Sequence, residues 1–288
     1  MQMLERNVVT GVKQESIRQD RSANGRCFED EAGRWRVLDE VRSKDVSLPR
    51  DQQARDVFET IERALEEAGM NFNHVIRTWF FLDDILSWYG DFNRVRTAFF
   101  VQHGVFSRLV PASTAVGTTT SQAAIVAKVV ALKPNGEHVR IRSVPSPLQR
   151  APVRYGSAFS RAVEVASPGQ RRLYVSGTAS IAPDGRTAHP HDVPRQIRHT
   201  MAVVGAILDS VQMDWADATR AVAYFARPRG VTVFNELCRQ YQLPLAAVTF
   251  ARGEICRGDL LFELEADFVQ RREHSVANRR KDLLCIQS

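Results

Sequence analysis

Apolar and polar positions recur along this chain with two periods, and those periods predict its elements. Near the C-terminal end, Leu260, Phe262, Leu264 and Ala266 alternate with Leu261, Glu263, Glu265 and Asp267, the period of a strand with one apolar face. Glu263 and Glu265 then point the same way, roughly 7 Å apart at about 3.3 Å per residue. Charged residues are normally exposed, so this face reads in one of two ways. It is a solvated outer surface, or it holds a carboxyl group in a cleft where burial raises the pKa and arms a proton donor.

The helical period appears first at Asp51–Ala68, where Val57, Ile61, Leu65 and Ala68 share one face and Gly69 supplies a stop. Val75–Asp83 is a nearly continuous apolar strand. Phe92, Val95 and Phe99 mark a second helix that ends near His103-Gly104, and Ala123–Leu132 reads as a closing strand. Residues 34–47 give a weak strand signal, and residues 1–25, polar and aperiodic, read as an arm or an incomplete first strand. Pro134-Asn135-Gly136 is a turn, and the three prolines between Pro145 and Pro152 mark a linker, which divides the chain into domains 1–144 and 145–288.

Beyond the linker the order repeats. A strand at Leu173–Ile181 precedes a helix at Pro194–Val211, a strand at Ala218–Phe225, a helix carrying Phe234, Leu237, Cys238 and Tyr241, and the Glu263 strand. Met70-Asn71-Phe72 matches Met213-Asp214-Trp215, Arg77 matches Arg220, Phe92-Asn93 matches Phe234-Asn235, and Ala115-Val116 matches Ala247-Val248. The chain therefore reads as a tandem duplication of an α+β unit of ~120 residues, each a mixed sheet packed by two helices. In this alignment Lys128 falls opposite Glu263 and Val130 opposite Glu265, so only the second copy carries the acid pair. The first copy then reads as scaffold.

Composition narrows the function classes. At 288 residues, 44% apolar and 25% charged, the chain has the make-up of a soluble globular protein with its own core. It has neither an apolar run of about 20 residues nor a secretory signal, so a cytoplasmic protein with no membrane partner is expected. Cys27, Cys238, Cys256 and Cys285 lie far apart, which suggests neither disulfides nor a metal site. The net charge of +6 invites a nucleic-acid reading, but the arginines come in short clusters without a basic, aromatic-interleaved stripe. A small anionic substrate accounts for them as well, and no nucleic-acid partner is expected.

The helix QQARDVFETIERALEEAG and the strand VIRTWFFLDD resemble the RidA/YjgF family, and the likeness covers residues 35–132 and 153–269. It implies a chorismate-mutase-like fold and a homotrimer. Imine-deaminating members use an Arg within a Pro-Ala-Arg-Ser-Ala-Val segment; here PASTAV places Ser113 there, and PLAAV has no Arg. A second resemblance is carried by Arg154–Ala162, by LYVSGTASI at Leu173–Ile181 and by GEICRGDLLFE at Gly253–Glu263. These segments are similar to those of the chorismatases, two-domain RidA-like enzymes that remove pyruvate from chorismate without a cofactor.

That resemblance gives Glu263 its role and Cys256 its significance; the other candidates are read from their own chemistry. Glu263 is the proton donor to the enolpyruvyl methylene carbon, a task for a carboxyl group whose pKa lies well above the ordinary value of about 4.3. Arg154, Arg161 and Arg227 are candidates for binding carboxylates through paired hydrogen bonds. Tyr155 and Tyr174 could donate hydrogen bonds, and Gly177 and Ala179 could leave room for the ring. Cys256, seven residues before Glu263, resembles the branch that forms 3-hydroxybenzoate rather than a dihydroxycyclohexadiene carboxylate. The alternative is a RidA-like binding or scaffold protein for a small carboxylate, or an imine deaminase, without turnover of chorismate.

Overall fold

The computed structural model describes residues 18–20, 25–118 and 122–272. The first unit runs β1 (Arg18–Asp20), β2 (Gly25–Asp30), β3 (Gly33–Arg42), α1 (Arg50–Glu66), β4 (Val75–Leu82), α2 (Ile85–Gln102), β5 (Ala112–Gly117) and β6 (Ile125–Pro134). Its sheet has the order β1-β2-β3-β6-β4-β5. The second runs β7 (Arg140–Val144), β8 (Ala162–Ala166), β9 (Gln170–Ala179), α3 (Val193–Ser210), β10 (Ala218–Phe225), α4 (Val231–Tyr241), β11 (Val248–Arg252) and β12 (Phe262–Arg271), in the order β11-β10-β12-β9-β8-β7. In each sheet one edge pair is parallel, β4 with β5 and β10 with β11.

Each unit packs its two helices on one face of its sheet, because the apolar stripes predicted from the sequence have no other surface to cover. In the first unit Phe58 on α1 sits among Phe72, Phe80, Phe92, Phe99 and Phe100, with ring centroids 5.1–6.3 Å apart. In the second, Phe225, Phe234 and Phe262 form a triangle with centroids 5.1–6.1 Å apart. The Met70-Asn71-Phe72 and Met213-Asp214-Trp215 matches occupy the same place. Each is a buried Met, then a polar N-cap opening a one-turn helix, then a buried aromatic.

The helix-free faces of the two sheets meet. Trp35, Ile76, Trp79 and Val130 of the first unit form one buried cluster with Val163, Val165 and Tyr174 of the second. The edge strand β5 lies against β9: Ser113 N donates to Ser176 Oγ at 2.8 Å, and Gly177 N donates to Thr114 Oγ1 at 2.9 Å. Further along the seam Arg172 is paired with Asp30 at 2.6 Å.

Three readings of the sequence are corrected here. Arg140–Val144 pairs with β8 as the edge of the second sheet, so the units divide between Pro134 and Arg140, not at 144. The duplication holds, but its register differs by two residues on the closing strands. Arg77 faces Val130 and Arg220 faces Asp267, so Glu263 corresponds to Val126 and Glu265 to Lys128. The first copy still lacks both acids. On β5 the match moves by three, Ala247 corresponding to Ala112. Of residues 1–25, read as an arm or an incomplete first strand, 18–20 form a strand and Gly25 opens the next, while 1–17 and 21–24 lie outside the described residues.

Candidate active site

On β12 the alternation works as the sequence predicts. Phe262, Leu264, Ala266 and Phe268 turn to the helices, while Glu263, Glu265 and Asp267 turn to the seam between the units. None of the three acids is solvated: Glu263 is 4%, Glu265 0% and Asp267 7% exposed, which excludes the outer-surface reading. Three buried carboxyl groups in a row require compensation. Glu265 receives it from both units. Arg77 Nη2 donates to it at 2.9 Å and Trp79 Nε1 at 3.0 Å, both from β4, and Arg220 donates from β10. Arg220 also reaches Asp267 at 3.2 Å. Burial would raise the pKa of Glu265, but Arg220 and Arg77 outweigh it and hold the group below the ordinary value.

Glu263 is the contrasting case. It lines a cavity in the seam, walled by Ser113 and Ala115 of β5 and by Gly177 and Ala179 of β9. Burial, reinforced by the charge of Glu265, pushes its pKa up to about 8, against the opposing pull of Arg77 and Arg161. A carboxyl group with that pKa is largely protonated at neutrality. Gly177 is needed at its place because a Cβ there would collide with the Glu263 carboxyl and with Thr114.

The rest of the cavity is cationic and aromatic. Arg161 donates through Nε and Nη2 to the Arg150 carbonyl at 3.3 and 3.0 Å, and its guanidinium lies 5.6 Å from the Phe159 ring. Arg96, from α2 of the first unit, lies 5.7 Å from the same ring and donates to Asn93 Oδ1 at 2.5 Å. Arg257, on the loop before β12, donates to the Gly185 carbonyl at 2.8 Å. Tyr89 and Cys256 also line the cavity, and burial pushes both up to about 12, so phenol and thiol are neutral there.

Of the residues expected from the sequence, Glu263, Arg161, Gly177, Ala179 and Cys256 meet in this cavity. Others do not. Arg227 follows the end of β10 where the chain turns outward, and it is exposed. Arg154 is exposed on a one-turn helix at Pro152–Tyr155. The side chain of Tyr155 lies outside the described residues. Tyr174 is buried in the seam among Trp35, Trp79 and Val163, away from the cavity. The apolar surroundings of Glu263 come from Ala115, Phe159 and Ile181, while its strand neighbours Phe262 and Leu264 face the helices.

Tyr89, Arg96, Ser113 and Ala115 were missed, and all come from the first unit, which is therefore more than scaffold. One signal was legible. Arg96 falls within the apolar stripe of α2, four residues after Phe92 and three before Phe99, where a guanidinium has to be explained. Arg257 carried no such signal.

Among the described residues no group of three or more His, Cys, Asp or Glu could hold a metal ion. No helix there is long and apolar enough to cross a membrane. A wider groove opens between α1 and α2 on the outer surface, and two of its three arginines are tied to neighbouring acids, Arg50 to Asp83 at 3.0 Å and Arg94 to Asp91.

Residues 39–130 match the family model for endoribonuclease L-PSP, the RidA-like unit. A solved chorismatase structure superposes with a TM-score of 0.69 at 20% identity, covering 88% of this chain and 78% of that one. The chain has the chorismatase fold. It is a tandem duplication of the RidA-like unit, and the resemblance read from its segments stands. In sequence it is 29% identical over 240 residues to a 3-hydroxybenzoate synthase from Streptomyces hygroscopicus, covering 74% of this chain and 68% of that protein.

Proposed function

We propose that the protein is a chorismatase, an enzyme that removes pyruvate from chorismate, with Glu263 as general acid. The observation that carries this reading is a buried carboxyl group, with a pKa of about 8, lining a cavity with Arg96, Arg161 and Arg257. Chorismate is a dianion bearing an enol ether. Its two carboxylates call for cations, and its unreactive methylene carbon calls for a proton donor in its neutral form. A solvated glutamate with a pKa of about 4.3 would be almost wholly ionised at neutrality and could not serve.

In this mechanism Arg161 and Arg96, stacked on Phe159 from opposite units, hold the substrate, with Arg257 as a third cation. Glu263 gives its proton to the methylene carbon, leaving an oxocarbenium ion beside the new carboxylate. The ring hydroxyl oxygen then attacks the ring carbon that held the ether, the bond from that carbon to the ether oxygen breaks, and pyruvate departs as the ketone. The hydroxyl proton returns to Glu263, and the oxygen now bridges two ring carbons as an epoxide. Its bond to the carbon that first bore it then breaks, the carbon that held the ether loses its hydrogen as a proton, the oxygen gains one, and the ring becomes aromatic. Together 3-hydroxybenzoate and pyruvate have the composition of chorismate, so no water is consumed. In the hydrolytic branch one water would take the place of the ring hydroxyl.

Cys256 supports the first branch. It stands seven residues before Glu263, as in the 3-hydroxybenzoate-forming enzymes, and contributes a neutral thiol to the cavity wall. The sequence likeness to a 3-hydroxybenzoate synthase points the same way. Incubation of the purified protein with chorismate, followed by assay of pyruvate and chromatography of the ring product, tests the proposal. Equal amounts of pyruvate and 3-hydroxybenzoate are expected. No turnover between about pH 5 and pH 9 would defeat it in favour of a carboxylate-binding protein.

A further inference from the structure

We propose that Glu265 is a positioning residue for the proton donor: clamped in its ionised form by groups from both units, it keeps Glu263 neutral and able to give a proton. This deepens the chorismatase reading and rests on Glu263 being the acid.

The geometry separates the two glutamates. Glu265 is held by Arg77 and Trp79 of β4 and by Arg220 of β10, and Tyr224 Oη lies 3.5 Å away. The hydroxyl of Thr114 on β5 completes the clamp. It accepts from Arg77 Nη2 at 2.8 Å and from Gly177 N at 2.9 Å, which leaves its own proton for Glu265. The two cations nearest the acid row are thereby committed to Glu265, with Arg220 shared with Asp267. Glu263 lies one step along the same face, against the bare backbone of Gly177.

The other charged and titratable groups around Glu263 come from elsewhere. Arg161 precedes β8, Tyr89 and Arg96 come from α2, and Cys256 and Arg257 lie on the loop before β12. At a spacing of roughly 7 Å, two carboxylates in a partly desolvated setting repel enough to separate their titrations by about one to two pH units. The direction of both shifts agrees, Glu265 lowered and Glu263 raised. Since Arg77, Trp79 and Thr114 all belong to the first unit, docking of that unit sets the acidity of a group on the second.

The test is Glu265→Gln, read in two ways. In turnover, the alkaline limb of the kcat profile is expected to move down by about one to two pH units, and Glu265→Asp to restore it. Without substrate, stability is compared between each chain and its partner that also carries Glu263→Gln. The pH at which that difference levels off reports the titration of Glu263, and it is expected to fall by the same amount in the Glu265→Gln background. A purely structural Glu265 would lower kcat equally at every pH and leave both readouts in place, which overturns the proposal. Absence of turnover by the unaltered protein would sink the chorismatase reading, while the substrate-free comparison would still decide this one. Should Glu265→Gln not fold, Glu265→Gln with Arg220→Gln removes one charge of each sign from the buried row. A smaller downward movement is expected, because the lost cation offsets part of the lost anion, and no downward movement overturns the proposal.

Discussion

Replacing Glu263 with Gln changes stability in a way that only a buried, neutral acid can produce. Glu263 titrates near 8 in the folded chain against an ordinary 4.5. Between those values the folded state holds a proton that the unfolded state has released, so its stability falls as pH rises through the window and levels off above about 8. At pH 7 the cost covers about 2.5 pH units at about 1.4 kcal/mol each, on the order of 3 kcal/mol. Gln fills the same space and never ionises, so the cost disappears. The variant is expected to match the parent near pH 4, to exceed its stability by about 3 kcal/mol at pH 7, and to hold a constant lead above pH 8. Urea unfolding at a series of pH values measures this directly. The same variant should lose ~10² to 10⁴ in kcat with chorismate. A stability difference that stays flat from pH 4 to about 9 would refute the placement of a protonated carboxyl group in the seam.

Other outcomes follow from the same geometry. Gly177→Ala should push the Glu263 carboxyl off the β9 backbone and lower kcat by ~10²-fold, with the displaced side chain visible in a crystal structure of the variant. Arg161→Met should raise KM for chorismate by roughly tenfold or more, whereas Arg227→Ala, at an exposed position outside the cavity, should leave KM within about twofold. Phe58→Ala, which empties the centre of the first aromatic cluster, should cost about 3–5 kcal/mol in chemical denaturation.

Much of the fold is legible in the sequence because each helix and central strand carries a clean period. Val57, Ile61 and Leu65 mark α1, and Ala218–Phe225 marks β10 with its observed limits. Edge strands escaped because their burial is set by what they meet, not by their own alternation. PASTAV in β5 is small and weakly apolar, yet it is fully buried because β9 of the other unit covers it. Its counterpart β11 has no such cover and is largely exposed. The same reason explains the half-read site. Glu263 announces itself by breaking an apolar strand, and Arg96 by breaking an apolar helix. Nothing local in Ser113 or Tyr89 indicates that a second copy, far along the chain, will be laid against them. Arg154 stands in a segment similar to the chorismatases and Arg227 just after a strand, but neither fact says where a backbone turn points a side chain.

The seam between the halves has a consequence for how such a site could arise. In an assembly of identical subunits, every substitution is repeated at every junction, so an acid row placed at one contact is forced on all of them. Joining two copies in a single polypeptide lifts that constraint. One half carries Val126 and Lys128 where the other carries Glu263 and Glu265, and each partner surface is free to suit one neighbour only.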